Sequence, residues 1–304
     1  MYGMSFEFLF EFLHGCHVFY LTRVPSPAII AQAFKDVKPA IVIAVPLVIE
    51  KIIRKKVFPQ IQNTKVKLLM KMPGVGKKVK KRICEQVYQA FGGNLYEVII
   101  GGAALNQEIE SFLKDIDFPF TVGYGATECA PIITYSDWHD FVPMSCGREV
   151  VHMEVKIDSE NPETVPGEIL ARGLNVMLGY YKNDEATAQT IDKDGWYHTG
   201  DLGLMDKGGN VFIKGRSKNM LLGPNGQNIY PEEIEDKLNS MTFAMESVVV
   251  QRDGKLVGLV HPDFDEVQAM GLSRDDLQSL MEENRVQVNA NLPVYCKIAA
   301  IEIH

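Results

Sequence analysis

The chain has 304 residues, enough for one large domain or two domains with a sizeable buried core, and its composition is ordinary for a soluble globular protein. Its five cysteines are odd in number and contain no Cys-x-x-Cys spacing, so neither a zinc cage nor a disulfide framework is indicated, and a reducing, cytoplasmic location fits best. The apolar run 6–13 lacks the basic leader and small-residue cleavage site of a signal peptide, and the run 40–49 is too short to cross a bilayer.

The net charge of −8 is distributed unevenly along the chain. Residues 51–82 contain twelve Lys or Arg and no Asp or Glu, whereas the remaining residues carry 19 basic and 39 acidic side chains. Two interpretations stay open for this basic block. It is either a solvated helix face or a landing surface for an anionic partner, namely a phosphorylated cofactor, an acidic carrier protein or an anionic membrane.

Helices and strands alternate in the first half of the chain, which indicates an α/β fold. Apolar residues in the run 6–13 recur at helical spacing, and because a buried-looking helix comes first, we expect the natural protein to begin earlier. A helix over 28–37, a strand over 40–45 that looks buried on both faces, and a helix from about 47 follow. The basic block leads into a further helix that ends near residue 91.

Two predicted strands end in glycine-rich segments. The first, over 96–100, runs into Gly101 and Gly102, where the missing Cβ atoms let a flat ligand approach the backbone at a strand end. The second, over 120–122, runs into the loop 123–128, in which an aromatic, a hydroxyl and a carboxylate lie between or beside glycines.

The loop 123–128 offers groups for three parts of a nucleotide. Tyr124 is suited to stacking on a base, Thr127 to holding a phosphate and Glu128 to binding a divalent cation. The loop therefore predicts a phosphorylated ligand with an aromatic base.

From residue 147 short strands separated by turns predict a small β subdomain. Within its last part, 195–218, two hairpin segments bring Asp201 and Arg216 towards a common strand end. The carboxylate accepts hydrogen bonds from neighbouring hydroxyls and the guanidinium is an always-charged planar fork, which suits a polyhydroxyl ligand. The alternative is that residues 199–201 form an Asx-type turn and Arg216 is a surface charge.

A mixed α+β segment follows Lys218. Its predicted elements are a hairpin turn at Asn225-Gly226, a helix from Pro231 to Leu238, a hairpin around Asp253-Gly254, a helix capped by Ser273 and a closing strand over 298–303.

Six motifs occur along the chain in one order: Gly-Gly-Ala-Ala-Leu (101–105), Gly-Tyr-Gly-Ala-Thr-Glu (123–128), Gly-Glu-Ile-Leu-Ala-Arg-Gly to Gly-Tyr-Tyr (167–181), Gly-Trp-Tyr-His-Thr-Gly-Asp (195–201), Gly-Arg-Ser-Lys (215–218) and Gly-Gln-Asn-Ile-Tyr-Pro-Glu-Glu-Ile-Glu (226–235). Each alone is modest. Together they resemble the adenylate-forming (AMP-binding) superfamily, and within it the long-chain acyl-CoA synthetases, or fatty-acid–CoA ligases. The resemblance covers essentially the whole chain.

The resemblance implies an α/β fold in three parts. Residues 1–146 would form part of the large AMP-binding domain, residues 147–217 a β subdomain that completes the nucleotide site, and residues 218–304 a mobile, truncated α+β domain.

It also implies the roles of individual residues in the first part. The Gly-Gly-Ala segment would line the adenine and acyl-carbonyl site with Gly102, Ala103 and Ala104. In the next motif, Gly123, Tyr124 and Gly125 would bind the cofactor, with Tyr124 stacking on the adenine. Thr127 would contact the α-phosphate and Glu128 would bind magnesium, and these two are the implied catalytic residues.

Further residues acquire roles by the same resemblance. Asp201 would bind the ribose hydroxyls, with Arg216 supporting the same ribose. Lys218 would be the hinge about which the last domain rotates between half-reactions. Gly226, with Asn225, would approach the pantetheine arm of coenzyme A.

The implied activity is ATP-dependent activation of a long-chain fatty acid to acyl-AMP and transfer to CoA, with ATP/AMP, Mg²⁺ and coenzyme A as cofactors. Two alternatives remain: an acyl-AMP ligase that hands the acyl group to an acyl carrier protein, and a non-catalytic nucleotide- or acyl-binding fragment. No nucleic-acid partner is expected. The expected location is cytoplasmic, with residues 51–82 as a contact to the inner face of a membrane or to the acceptor.

Two family elements have no match in the sequence: the Ser/Thr/Gly-rich phosphate loop and the catalytic lysine near the C-terminus. We therefore expect these 304 residues to show negligible ATP–pyrophosphate exchange with any fatty acid. Robust exchange would contradict that expectation.

Overall fold

The computed structural model describes residues 2–20, 27–61, 68–70, 72, 74–223 and 226–304, so the predicted turn residue Asn225 lies outside the described residues. The chain forms two compact units. Unit 1 comprises Met1–Lys156, Leu170–Thr199 and Met205–Phe212, and unit 2 comprises Ile157–Ile169, Gly200–Leu204 and Ile213–His304. The three-part division with boundaries after residues 146 and 217 stays a prediction.

The α-helices of unit 1 are α1 (Tyr2–Met4), α2 (Glu11–Leu13), α3 (Pro27–Val37), α4 (Pro46–Ile52), α5 (Phe58–Ile61), α6 (Val75–Ala90), α7 (Gln107–Asp115) and α8 (Asp184–Thr190). Those of unit 2 are α9 (Pro231–Asn239), α10 (Phe264–Ala269) and α11 (Arg274–Ala290). Short π-helices cover Ser5–Phe10 and Ile53–Val57, and 3-10 turns cover Thr127–Cys129, Ser217–Asn219 and Val294–Cys296. In the described part of the chain, no helix is both long and apolar enough to cross a membrane.

A parallel three-stranded sheet lies at the centre of unit 1. Its strands are β1 (Ile41–Ala44), β2 (Glu97–Ile100) and β3 (Phe120–Val122), in the order β1-β2-β3. The alternation of helices and parallel strands confirms the predicted α/β pattern. Helix α7 begins after Asn106, whose side chain caps it by accepting a hydrogen bond from the backbone nitrogen of Ile109 at 3.4 Å.

Burial on both faces of the first strand was expected from its apolar run, and this expectation is wrong. β1 is an edge strand, with Val42 buried but Ile41 exposed. The central strand β2 has the more buried pattern, with Glu97, Val98 and Ile100 inside. An apolar run by itself does not distinguish a central strand from an edge strand.

The N-terminal segment is helical, as predicted, and runs from α1 through the π-helix Ser5–Phe10 to α2. It is not buried, however: none of its residues is in the core, and Phe12 and Leu13 are exposed. Helical spacing of apolar residues sets the type of element, whereas burial depends on which other segments cover it.

Short strands follow, and the first of them begin before residue 147, where the β subdomain was predicted to start. One sheet has the order β4-β5-β6 with antiparallel pairs, and a four-stranded sheet has the order β10-β9-β8-β7. The strands are β4 (Tyr124–Gly125), β5 (Ile132–Tyr135), β6 (Arg148–Glu149), β7 (Met153–Asp158), β8 (Gly167–Gly173), β9 (Tyr197–Met205) and β10 (Val211–Arg216).

The C-terminal part of unit 2 has the predicted α+β order. Strands β11 (Leu221–Leu222) and β12 (Asn228–Ile229) pair antiparallel. Strands β13 (Ala244–Arg252) and β14 (Lys255–Pro262) form the predicted hairpin, and β15 (Ile298–Ile303) pairs parallel to β14. The residues that form the core are Ile229, Ile234, Leu238, Phe243, Val249, Leu256, Val260, Val267, Leu277, Met281, Val288, Ile298 and Ile301.

Two local signals in this part behave as the sequence predicts. Asp253 and Gly254 both have positive φ, 48° and 72°, which the two central residues of a type I′ hairpin turn require. Ser273 caps α11 in a capping box, in which the Ser273 hydroxyl accepts from the backbone nitrogen of Asp276 at 3.2 Å.

Candidate functional site

The predicted glycine-rich turn and the predicted nucleotide loop lie side by side in unit 1. The backbone nitrogen of Gly101 donates to the carbonyl of Ala44 at 3.2 Å, and that of Gly123 donates to the carbonyl of Ile100 at 2.9 Å. Both segments therefore leave the parallel sheet at its carboxyl edge, where α/β proteins bind ligands.

The turn itself is open to solvent at the positions predicted to line the adenine site. Gly102, Ala103 and Ala104 are exposed, and Gly102 has a φ of 87°, which favours glycine. Backbone atoms at these positions are accessible to a flat ligand. The role of the three residues in binding stays a prediction.

Residues of the loop 123–128 differ in exposure. Tyr124 is buried in β4, whereas Thr127 is exposed at the start of the 3-10 turn Thr127–Cys129. An exposed hydroxyl at the start of a turn is accessible to a phosphate, while the Tyr124 ring has most of its surface covered by protein. The contacts of both residues with a nucleotide stay predictions.

Gly125 is required by close packing of backbone. The nitrogen of Ala126 donates to the carbonyl of Pro131 at 2.8 Å, and a Cβ atom built on Gly125 would lie 2.0 Å from the same carbonyl oxygen. Any side chain here would separate β4 from β5. Glycine at this position therefore fixes the shape of the loop, whatever its relation to a ligand.

Glu128 is held by a tyrosine that sequence reasoning did not single out. The hydroxyl of Tyr180 donates to the Glu128 carboxylate at 2.8 Å, and the Glu128 carbonyl accepts from the nitrogen of Met177 at 2.7 Å. The hydrogen bond to Glu128 raises the pKa of Tyr180. Tyr197 is close as well, and its pKa is raised by burial first and by the charge of Glu128 second.

The only signal for Tyr180 and Tyr197 in the sequence was their position in the Gly-Tyr-Tyr and Gly-Trp-Tyr-His motifs. A second missed residue is Asn175, whose side-chain nitrogen donates to the carbonyls of Cys129 at 2.7 Å and Ile132 at 2.8 Å. Asn175 thus ties the end of the loop to β5.

The carboxylate of Glu128 fits the predicted magnesium contact. Mg²⁺ is usually held by one or two carboxylates together with water and substrate phosphates, so a single positioned glutamate is an adequate protein contribution. Among the described residues no group of three or more His, Cys, Asp or Glu could hold a metal ion on its own. Glu128 would therefore share the cation with the phosphates of a nucleotide.

In unit 2 the structure brings Asp201 and Arg216 together. Asp201, on β9, is buried, and its Oδ1 lies 2.9 Å from the Nε of Arg216, which is exposed at the end of β10. The alternative of an Asx-type turn is wrong, because residues 197–205 form one continuous strand. Arg216 is likewise an ion-pair partner rather than an isolated surface charge.

Two glutamates that the sequence did not indicate support this pair. The nitrogen of Gly200 donates to Glu168 Oε1 at 2.9 Å, and the nitrogen of Arg216 donates to Glu232 Oε1 at 3.3 Å. The backbone on either side of the ion pair is thus fixed by a carboxylate.

The two remaining predicted residues also lie in unit 2. Lys218 is exposed in the 3-10 turn Ser217–Asn219 directly after β10. Gly226 has a φ of 78°, is exposed, and donates its nitrogen to the carbonyl of Gly223 at 2.9 Å between β11 and β12. Their predicted roles as a hinge and as a neighbour of the pantetheine arm stay predictions.

Several solved structures share this fold. O-succinylbenzoate coenzyme A synthetase from Bacillus subtilis, in complex with AMP, matches with a TM-score of 0.69 over 97% of this chain and 53% of that chain, at 19% identity. ATP-bound MatB from Rhodopseudomonas palustris matches with a TM-score of 0.64 over 95% of this chain and 51% of that chain, at 21% identity. The predicted fold class, a partial adenylate-forming fold of α/β sheet and β subdomain followed by a small α+β domain, is confirmed.

Residues 1–181 match the family of AMP-binding enzymes. The chain belongs to this family, and the resemblance seen in its motifs is confirmed.

Named relatives include the long-chain-fatty-acid–CoA ligase ACSBG2 of Rattus norvegicus, 30% identical over 251 residues, which are 75% of this chain and 36% of that protein. The long-chain-fatty-acid–CoA ligase of Escherichia coli O6:H1 is 37% identical over 178 residues, 57% of this chain and 28% of that protein. The 4-coumarate–CoA ligase 1 of Glycine max is 38% identical over 177 residues, 54% of this chain and 60% of that protein. The chain spans about a third of the length of the long-chain ligases it matches.

Proposed function

We propose that this chain is part of an acid–thiol ligase that uses ATP to activate a fatty acid as acyl-AMP and then transfers the acyl group to CoA. The observation that carries the proposal is the arrangement in unit 1, where the turn 102–104 and the loop 123–128 leave the sheet side by side and Glu128 is held by Tyr180. The names of the relatives support the thiol ligase class.

The chemistry suits these residues. A carboxylate that attacks the α-phosphorus of ATP needs accurate placement and neutralisation of phosphate charge more than it needs covalent help from the protein. The hydroxyl of Thr127 is proposed to donate a hydrogen bond to the α-phosphate, and Glu128 is proposed to hold Mg²⁺. When bound, Mg²⁺ supplies charge neutralisation at the phosphates.

We propose that the nucleoside part of the ligand is bound by the backbone of residues 102–104 and by the ion pair of Asp201 and Arg216. Gly102, Ala103 and Ala104 are proposed to contact adenine through exposed backbone. Asp201 is proposed to accept hydrogen bonds from the ribose hydroxyls, with Arg216 holding the carboxylate in place.

The acid and the acceptor are the finer parts of the proposal. A fatty acid is favoured because long-chain ligases recur among the relatives, although a 4-coumarate ligase matches at similar identity. Incubation of the whole protein with ATP and either palmitate or 4-coumarate, with free CoA or an acyl carrier protein as acceptor, will identify both. The proposal expects palmitoyl-CoA as the main product. A coumaroyl product would contradict the proposed acid, and a product on acyl carrier protein would contradict the proposed acceptor. The predicted cytoplasmic location stays a prediction.

Binding of AMP to the 304-residue chain, measured by calorimetry, tests the nucleotide site itself. The proposal expects AMP to bind and the substitution Asp201→Ala to weaken binding by about 10- to 100-fold, because hydrogen bonds to a charged group contribute about 1.5 to 3 kcal/mol. Asp158→Ala is the matched control, since Asp158 is an exposed carboxylate at the end of β7 in the same unit.

Asp201→Asn keeps the size of the side chain and guards against loss of the fold, which circular dichroism checks. It should weaken AMP binding in a folded protein. AMP affinity that is equal in the wild type and both Asp201 variants would remove Asp201 from the site, and no measurable AMP binding by the folded wild-type chain would count against the proposal as a whole.

A further inference from the structure

Helix α6 presents a face of exposed cations. Ile83 and Val87 are buried, and the side opposite them carries four exposed basic residues at helical positions i, i+1, i+4 and i+5. These residues are Lys77, Lys78, Lys81 and Arg82.

Among the described residues, no ion pair balances the positive charge of this face. The first turn of α6 contains no acidic residue, and its N-cap, Gly74, provides no side-chain hydrogen bond. Within the described residues Lys80 pairs with Asp115 at 2.5 Å, whereas none of the four cations has a carboxylate within 4.0 Å. Cations near a helix N-terminus oppose the helix dipole, so this arrangement costs local stability unless an anion approaches.

Exposed apolar side chains lie directly before these cations. Leu68 is 65% exposed and Met72 is 44% exposed, with Leu69 and Val75 also exposed. The nitrogen of Met72 donates to the carbonyl of Leu69 at 3.2 Å, and the nitrogen of Gly76 donates to the carbonyl of Met72 at 2.8 Å. These bonds connect the apolar segment to the first turn of the basic helix.

We define the basic–apolar face as Leu68, Leu69, Met72, Val75, Lys77, Lys78, Lys81 and Arg82. We propose that this face docks on the surface of an anionic lipid bilayer. A bilayer offers negative headgroups to the four cations and an apolar interior to the four hydrophobic side chains, which is the pattern of interfacial membrane segments. A free phosphate would use the cations alone and leave the apolar side chains in water. The inference goes beyond the proposed enzymatic function and does not depend on it.

Sedimentation of the 304-residue chain with lipid vesicles tests the proposal. Vesicles of phosphatidylcholine with about 30% phosphatidylglycerol should bind the protein, and vesicles of pure phosphatidylcholine should not. The reason is that the electrostatic attraction of Lys and Arg to a bilayer requires anionic lipid. The double substitution Lys77→Gln and Lys81→Gln should weaken binding about 30-fold, since each basic residue contributes about 5-fold.

The matched control is Lys193→Gln with Lys207→Gln, which removes the same charge from exposed positions outside the face and should leave binding unchanged. Leu68→Gln with Met72→Gln should also weaken binding to the anionic vesicles, because these side chains would enter the apolar part of the interface. Val151→Gln with Val294→Gln is the control for that pair, because both valines are exposed elsewhere.

Three results would overturn the proposal. The first is equal binding to vesicles with and without phosphatidylglycerol. The second is an equal effect of the two lysine pairs. The third is loss of vesicle binding on addition of inorganic phosphate at constant ionic strength, which would identify a free-anion site instead.

Discussion

Glu97 is a buried carboxyl group whose ionisation the fold opposes. It is 2% exposed, and its carboxylate accepts from the Tyr135 hydroxyl at 2.7 Å and from the Trp138 nitrogen at 2.9 Å. Burial is the main cause that raises its pKa above the ordinary value of 4.5. The two hydrogen bonds lower it, the charge of Asp137 raises it further and His139 lowers it.

The raised pKa leads to a prediction about stability and pH. Because the folded protein holds the Glu97 proton more tightly than the unfolded chain does, the free energy of unfolding should fall as pH rises from about 4.5 through the folded pKa. Glu97→Gln should remove this fall, so the variant gains stability relative to the wild type across that pH range. Urea unfolding followed by tryptophan fluorescence at several pH values measures it.

Glu160→Gln, at an exposed position, is the control for Glu97→Gln. A parallel pH dependence of the wild type and Glu97→Gln would show that the carboxyl group titrates alike in the folded and unfolded chain.

Some residue-scale features could be predicted from the sequence and others could not. The glycines at strand ends and the carboxylate–guanidinium pair at 201 and 216 follow from local chemistry, and the structure places them as expected. The bond from Tyr180 to Glu128 joins residues 52 positions apart. A single sequence contains no local pattern that reports such a contact, so the tyrosine was missed.

At the scale of elements, the hairpin of β4 and β5 depends on one glycine. Gly125→Ala would place a Cβ atom 2.0 Å from the Pro131 carbonyl oxygen, so the two strands must separate. We expect a loss of about 2 kcal/mol in the free energy of unfolding, the usual range for overpacking. Thermal unfolding of the chain measures the loss.

Gly123→Ala is the matched substitution in the same loop. Its added Cβ would meet the Ile132 Cδ1 at 3.4 Å and the Thr134 carbonyl oxygen at 3.5 Å, which are ordinary contacts. The Gly123 variant should therefore be close to wild type in stability. Equal stability of the Gly123 and Gly125 variants would refute the close-approach explanation.

Element boundaries were predicted well where a capping or turn residue marks them, and burial was predicted less well. Ser273 caps a helix with its side chain, and the pair Asp253-Gly254 forms a turn through its positive φ angles. The exposure of β1 and of the helical segment 2–13 depends instead on neighbouring segments. Periodicity carries no information about those neighbours.

At the scale of the whole molecule, the two compact units suggest two unfolding transitions. Both tryptophans of the chain, Trp138 and Trp196, lie in unit 1, so their fluorescence reports on that unit alone. Far-UV circular dichroism reports on both. We expect denaturant curves from the two methods not to coincide, which is the usual sign of unfolding in more than one step.

Leu238→Ala sharpens this test, because Leu238 is fully buried in the core of unit 2. It should cost about 2 to 5 kcal/mol and shift the circular dichroism transition while the fluorescence midpoint stays in place. Val87→Ala, in unit 1, should move the fluorescence midpoint. Coincident curves for all three proteins would mean that the chain unfolds as one cooperative body.

The close contact between Gly76 and the segment before it has an evolutionary consequence. A Cβ atom at position 76 would lie 2.3 Å from the carbonyl oxygen of Met70, so only glycine lets Leu69 and Met70 pack on the start of α6. Homologues that inherit this arrangement must keep glycine there even if the surrounding lysines drift in position. In an alignment, a constant glycine beside a basic run whose lysines change position would then mark the lineages in which the basic–apolar face is under selection.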